Sequence, residues 1–164
     1  MEKKNIVDHK NLHYKGLFNI TELYKLIDNW FMNKGYTKHD IQQEETVEED
    51  GKRIYVKKEP VKRLTDYIEY VIRCEIECDK IKEVEHEKDG KRIILNQGDC
   101  GIILTGFLVT DYQYKWEKQS IFYFLRGVID KYVWRVVDRK EDGLVDDCND
   151  LIAQVRGFLN LHRY

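Results

Sequence analysis

The chain has 164 residues, 42% hydrophobic and 35% charged, with 28 basic against 30 acidic side chains and a formal net charge of -2. One domain over residues 1–164 fits these values, with a core that needs neither metal nor disulfide staples, and the three Trp, eleven Tyr and six Phe exclude a disordered chain. So balanced a charge gives no global field for a polyanion, which leaves nucleic acid only a local patch to bind.

The start, Met1 to Asn5, is charged and leads into no apolar run, and Gly101 to Val109 is half the length of a membrane span. A cytoplasmic protein with no membrane contact is expected. The four cysteines, Cys74, Cys78, Cys100 and Cys148, are sparse for a disulfide scaffold and read as reduced core residues. With a single proline, Pro60, and no Gly- or Ser-rich tract, nothing resembles a linker.

In chain order the first clear element is a helix from Thr21 to Lys34, with Leu23, Leu26, Ile27, Trp30 and Phe31 on one face. Asn19 and Glu22 suit its N-terminus, Phe18 and Leu23 a hydrophobic staple, and Gly35-Tyr36 a left-handed C-cap with a contact to Phe31. A charged, mostly solvent-exposed hairpin follows, with Asp50-Gly51 as a type I′ turn that sets Glu48 against Arg53 and Val47 against Ile54. From Tyr67 to Asp79 the period is two: Ile68, Tyr70, Ile72, Cys74, Ile76 and Cys78 alternate with Glu69, Arg73, Glu75, Glu77 and Asp79. That is a long strand with one wet face.

Asp89-Gly90 turns a second hairpin, from a strand near Glu83–Glu87 to one near Arg92–Asn96, and both hairpins read Asp-Gly-Lys-Arg-Ile. Ile102 to Tyr112 is apolar on both sides and therefore central, with Gly98, Gly101 and Gly106 before or within it. Two helices close the chain, Gln119–Lys140 and Leu144–Leu161, broken at Asp142-Gly143. The reading is α+β: an N-terminal helix, an antiparallel sheet of five to six strands with two Asp-Gly hairpins, and two long C-terminal helices packed on one face.

The stretch Phe124 to Tyr132, with Asp111 and Trp116 before it, resembles short function-unassigned archaeal proteins of similar size. The resemblance implies no activity and no site residues.

Chemistry is thinly signalled. Cys74, Cys78, Cys100 and His86 invite a zinc reading, but Cys74 and Cys78 on one strand stand about 13 Å apart, not on a knuckle. Glu75 and Glu77, about 7 Å apart, have the separation of a glycosidase pair and equally that of any wet strand face. Asp146, Asp147 and Asp150 are oxygen donors of the kind a hard cation takes, but with no calcium-loop pattern around them they read as capping the last helix. His9, His13, His39, His86 and His162 are scattered, and no glycine-rich loop precedes a helix. No catalytic residue, metal or cofactor is assigned.

Three functions remain open. The favoured one is a non-catalytic interaction protein that binds itself or a protein partner through the second face of the central strand, Ile103, Phe107 and Val109. An alternative is a binder of small apolar ligands, with a sheet curved at Gly106 around a long helix and a cavity rimmed by Tyr70, Tyr112, Tyr123 and Tyr132. A third is an RNA- or ribosome-associated factor using the stripe Lys131, Arg135 and Arg139 with Trp134 beside it.

Overall fold

The computed structural model describes residues 1–110 and 120–161, with side chains for all of these except 120–134. In chain order it runs β1 (Glu2–Phe18), α1 (Ile20–Asn33), β2 (Asp40–Glu48), β3 (Gly51–Lys58), β4 (Val61–Arg63), β5 (Ile68–Lys88), β6 (Lys91–Thr110) and α2 (Ser120–Leu161). Among the described residues, six strands form one antiparallel sheet in the order β1-β6-β5-β3-β2, with β4 also against β5. The α+β class and the strand number agree with the sequence reading. The order of elements does not: the chain opens on a strand rather than on the N-terminal helix.

The reason β1 escapes the sequence pattern is visible in its pairing with β6, where the register slips between Asn5 and Val7 and again between Val7 and Lys10, with His9 at φ +41°. Each extra residue turns the following side chains to the other face, so no period of two survives. A bulge also hides the true length of β5. The predicted strands Tyr67–Asp79 and Glu83–Glu87 are one strand, in which an extra residue between Asp79 and Lys82 and a φ of +55° at Lys80 move the core positions from Cys78 to Ile81. Likewise Arg92–Asn96 and Ile102–Tyr112 merge into β6, described as far as Thr110. On the outer edge of β5, β4 continues the line of β3 past Pro60, whose carbonyl accepts the Ile72 N–H.

The second hairpin turns at Asp89-Gly90 as predicted, with Lys88 opposite Lys91. The first does not turn at Asp50-Gly51. Its turn is Glu49-Asp50, and the register sets Glu48 against Gly51, Thr46 against Arg53 and Glu45 against Ile54. The hairpin is mostly exposed as expected, all of β2 included, while Ile54, Val56 and Lys58 of β3 are buried.

Helix α1 ends as its sequence signals: the Asn19 side chain accepts from the Glu22 N–H at 3.2 Å, Gly35 sits at φ +85°, and the Tyr36 ring lies 5.5 Å from that of Phe31. Helix α2 corrects the prediction of two C-terminal helices. It runs unbroken for 42 residues, about 60 Å at the usual rise. Gly143 does not break it but gives room to Tyr70, whose hydroxyl donates to the Lys140 carbonyl and would lie 2.6 Å from a Cβ at position 143. Asp146, Asp147 and Asp150 consequently lie inside the helix and cap nothing.

One core holds the layers together. Leu23, Ile27, Trp30 and Phe31 of α1 and Leu144, Cys148, Leu151, Ile152, Val155 and Leu159 of α2 pack on Ile72, Cys74, Ile76, Ile102, Leu104 and Leu108 of the sheet. At Gly106 a Cβ would meet both Val7 and Leu144 at 3.2–3.3 Å, which measures how closely α2 approaches the sheet centre. The helices are also joined by hydrogen bonds: the Trp30 indole N–H donates to Asp150 at 2.7 Å, and the Tyr36 hydroxyl to Asp147 at 2.8 Å. Two of the three predicted capping aspartates thus dock α1 and its C-cap onto α2.

Candidate functional site

Period-two alternation sends the residues between the core positions of β5 and β6 to the opposite, outer face of the sheet. There Val71, Thr105 and Val109 are buried, Ile103 and Phe107 half-buried, and Arg73 and Glu75 partly exposed beside them. The buried side chains of α1, and those described for α2, all belong to the core side. Helix α1 therefore does not cover this face.

Phe107 is held between two cations, with the Lys3 ammonium 4.1 Å and the Arg73 guanidinium 5.2 Å from its ring centroid. Such contacts stabilise by roughly 0.5–1 kcal/mol each where water still reaches them. Arg73 is fixed in turn by a 2.6 Å hydrogen bond from Nε to Glu59. Along the same face the Tyr55 hydroxyl donates to Glu75 at 2.9 Å, and Arg53 to Glu77 at 2.6 Å. Partial burial, with the hydrogen bond to Glu75, raises the Tyr55 pKa and keeps that hydroxyl a donor. Glu75 and Glu77, read from sequence as a wet face, have cross-strand partners on β3 and do not converge on a common point. The Thr105 hydroxyl is buried among these residues without a hydrogen-bond partner.

The other predicted residues are not gathered into one place. Tyr70 is buried and its hydroxyl is committed to the α2 backbone, and burial pushes its pKa up to about 12. Tyr112 and the side chains of Tyr123 and Tyr132 lie outside the described residues, as do those of Lys131 and Trp134. Arg135 and Arg139 are exposed on α2, interleaved with Asp138, Glu141 and Asp142. All four cysteines are buried, and among the described residues no three His, Cys, Asp or Glu side chains converge as metal ligands would.

Sequence reasoning passed over a cleft of about 320 Å³ beneath the end of α1, walled by Phe31, Met32, Tyr36 and Pro60. Lys58 is only 8% exposed there, its ammonium 2.5 Å from Asp28 and 3.6 Å from Asp40. The signal was present: Lys58 stands in step with Ile54 and Val56, so strand alternation alone points a lysine inward. A second hollow, about 390 Å³, lies at the β5 bulge between Lys15, Lys80, Lys82, Gln97 and Asp99.

No protein-family model matches the chain, and neither a curated protein nor a solved structure matches it significantly. Among the described residues no helix is long and apolar enough to cross a membrane.

Proposed function

We propose that this chain is a non-catalytic interaction module that docks a protein partner on the outer face of β5 and β6, centred on Phe107. The observation that carries the reading is that the core-packing side chains of α1, and those described for α2, lie on one side of the sheet. Among the described residues no helical side chain packs on the other side of the two longest strands, where a half-buried ring lies between two cations.

Phe, Tyr and Arg are the residue types enriched in protein interfaces, and Phe107, Tyr55, Arg53 and Arg73 supply them here. Arg73 and Tyr55 are already pinned by Glu59 and Glu75, so a partner would find them ordered and little rotamer entropy would be lost on contact. Lys3, Arg53 and Arg73 alternate with Glu59, Glu75 and Glu77, a pattern of both signs that selects a partner's register rather than attracting any polyanion.

Sedimentation of the full chain across micromolar concentrations, together with photo-crosslinking from position 103, tests the proposal. Phe107→Ala and Arg73→Glu are expected to weaken the association about tenfold or more with the melting temperature little changed. An association indifferent to both changes, or a strict monomer that crosslinks to nothing through this face, overturns it.

A second reading, small-ligand binding, is favoured by the cleft at Lys58, whose volume and apolar walls lie in the range of ligand sites. Native mass spectrometry of the purified chain would show a bound species that Met32→Trp, placed in the cleft wall, displaces. A ligand-free spectrum counts against it.

A further inference from the structure

We propose that Cys78 and Cys100 are a modification site, at which a peroxide joins them into an intrachain disulfide across β5 and β6. The two residues are direct partners in the antiparallel register, and their Sγ atoms lie 2.9 Å apart on the core face. Directly opposed residues have Cα atoms about 4.5–5.5 Å apart, inside the window of about 4.4–6.8 Å that a disulfide spans. The strand spacing at this pair therefore permits the bond. The other two cysteines have no such register: Cys74 stands opposite Leu104 and Lys58, and Cys148 is on α2.

Access comes from the neighbouring bulge. The thiols are 0% and 1% exposed, and the hydrogen bond between them together with burial holds Cys78 protonated, so the closed sheet reacts slowly. Immediately beyond the pair the β5–β6 ladder is interrupted between Asp79 and Lys82, where Lys80 has a positive φ, and Gly98 and Gly101 flank Cys100 on β6. Local opening at such an interruption costs less than global unfolding and admits a molecule as small as hydrogen peroxide. Near both sulfurs the buried Tyr24 hydroxyl has no hydrogen-bond partner, and it is a ready donor to an oxygen placed on sulfur.

The chemistry balances in two steps. One thiol attacks the peroxide O–O bond, giving a sulfenic acid and one water; the second thiol attacks that sulfur, forming the S–S bond and expelling a second water. Two thiols lose two electrons and two protons, and one peroxide becomes two waters. The product staples the sheet across a 22-residue separation, which restricts the unfolded chain and raises the melting temperature by about 5–10 °C.

The test treats the full chain with hydrogen peroxide, then quenches, denatures, alkylates with iodoacetamide, and reads intact mass, peptide map and melting temperature. Four alkylated thiols are expected to fall to two, with the crosslink mapped to Cys78 and Cys100 and the melting temperature raised until dithiothreitol is added. Cys100→Ala and, separately, Cys78→Val should keep three alkylatable thiols and show no rise, while Cys148→Ala should still form the crosslink. Persistence of all four thiols in the wild-type chain, a bond mapped to another pair, or sulfinic and sulfonic products at these positions would overturn the proposal. The wild-type peptide map decides the matter even if a variant folds poorly.

Discussion

The two hairpins share the string Asp-Gly-Lys-Arg-Ile and turn differently. At the second, Asp89 and Gly90 are the turn itself, both with positive φ (+54° and +75°), and a Cβ on Gly90 would meet nothing within 4 Å. At the first, the turn has moved back to Glu49-Asp50, neither of which has positive φ, and Gly51 has become the first residue of β3 at φ +135°. There a Cβ would lie 2.8 Å from the Ile81 carbonyl oxygen, against the backbone of the β5 bulge. Turn chemistry decides register where a hairpin projects freely, and packing decides it where the hairpin lies on a neighbouring strand. The third Asp-Gly, at Asp142-Gly143, shows a further outcome: a helix runs through it, and the missing Cβ leaves room for Tyr70.

Substitutions at these glycines sharpen the contrast. Gly51→Ala should cost the most, about 2–3 kcal/mol, because the new methyl meets backbone that cannot yield and the φ is strained as well; a denaturation midpoint unchanged from wild type would break the comparison. Gly143→Ala should cost about 1–2 kcal/mol despite the gain in helix propensity, and Tyr70→Phe in the same chain should recover most of that loss, a coupling read from a double-mutant cycle. Gly90→Ala should cost about 1 kcal/mol, from backbone conformation alone, with the sheet otherwise intact by amide exchange. The smallest difference is expected between the aspartates: Asp89→Ala should destabilise by about 0.5–1 kcal/mol and Asp50→Ala by less than about 0.5 kcal/mol in thermal melts.

The candidate site was legible in the same uneven way. Ile103, Phe107 and Val109 follow from the doubly apolar strand, and the structure places them together on the face that no described helical side chain covers. Their setting was not legible, because the partners of Phe107 come from residues far apart in the chain: Lys3 from β1 and Arg73 from β5, the latter braced by Glu59. The pairing of Cys78 with Cys100 depends on a register that runs from the turn at Asp89-Gly90 through the bulge at Lys80, and counting back from the turn without that bulge misses the match by one residue. Of the tyrosines expected to rim a cavity only Tyr70 is described, and its hydroxyl donates to the α2 backbone.

What the sequence determined by itself was local. The caps and apolar stripe of α1, the alternation of Ile68 to Cys78 and the turn at Asp89-Gly90 are each set by contacts between near neighbours, and each is present in the fold. Only the tertiary structure decided which face β1 presents after two bulges, where the first hairpin turns, that α2 is a single helix, and that the buried side chains of α1 and those described for α2 share one side of the sheet. These depend on close approaches such as Gly51 to Ile81, Gly106 to Leu144 and Gly143 to Tyr70. Steric exclusion between distant segments leaves no period in the chain, so it is expressed only once the layers pack.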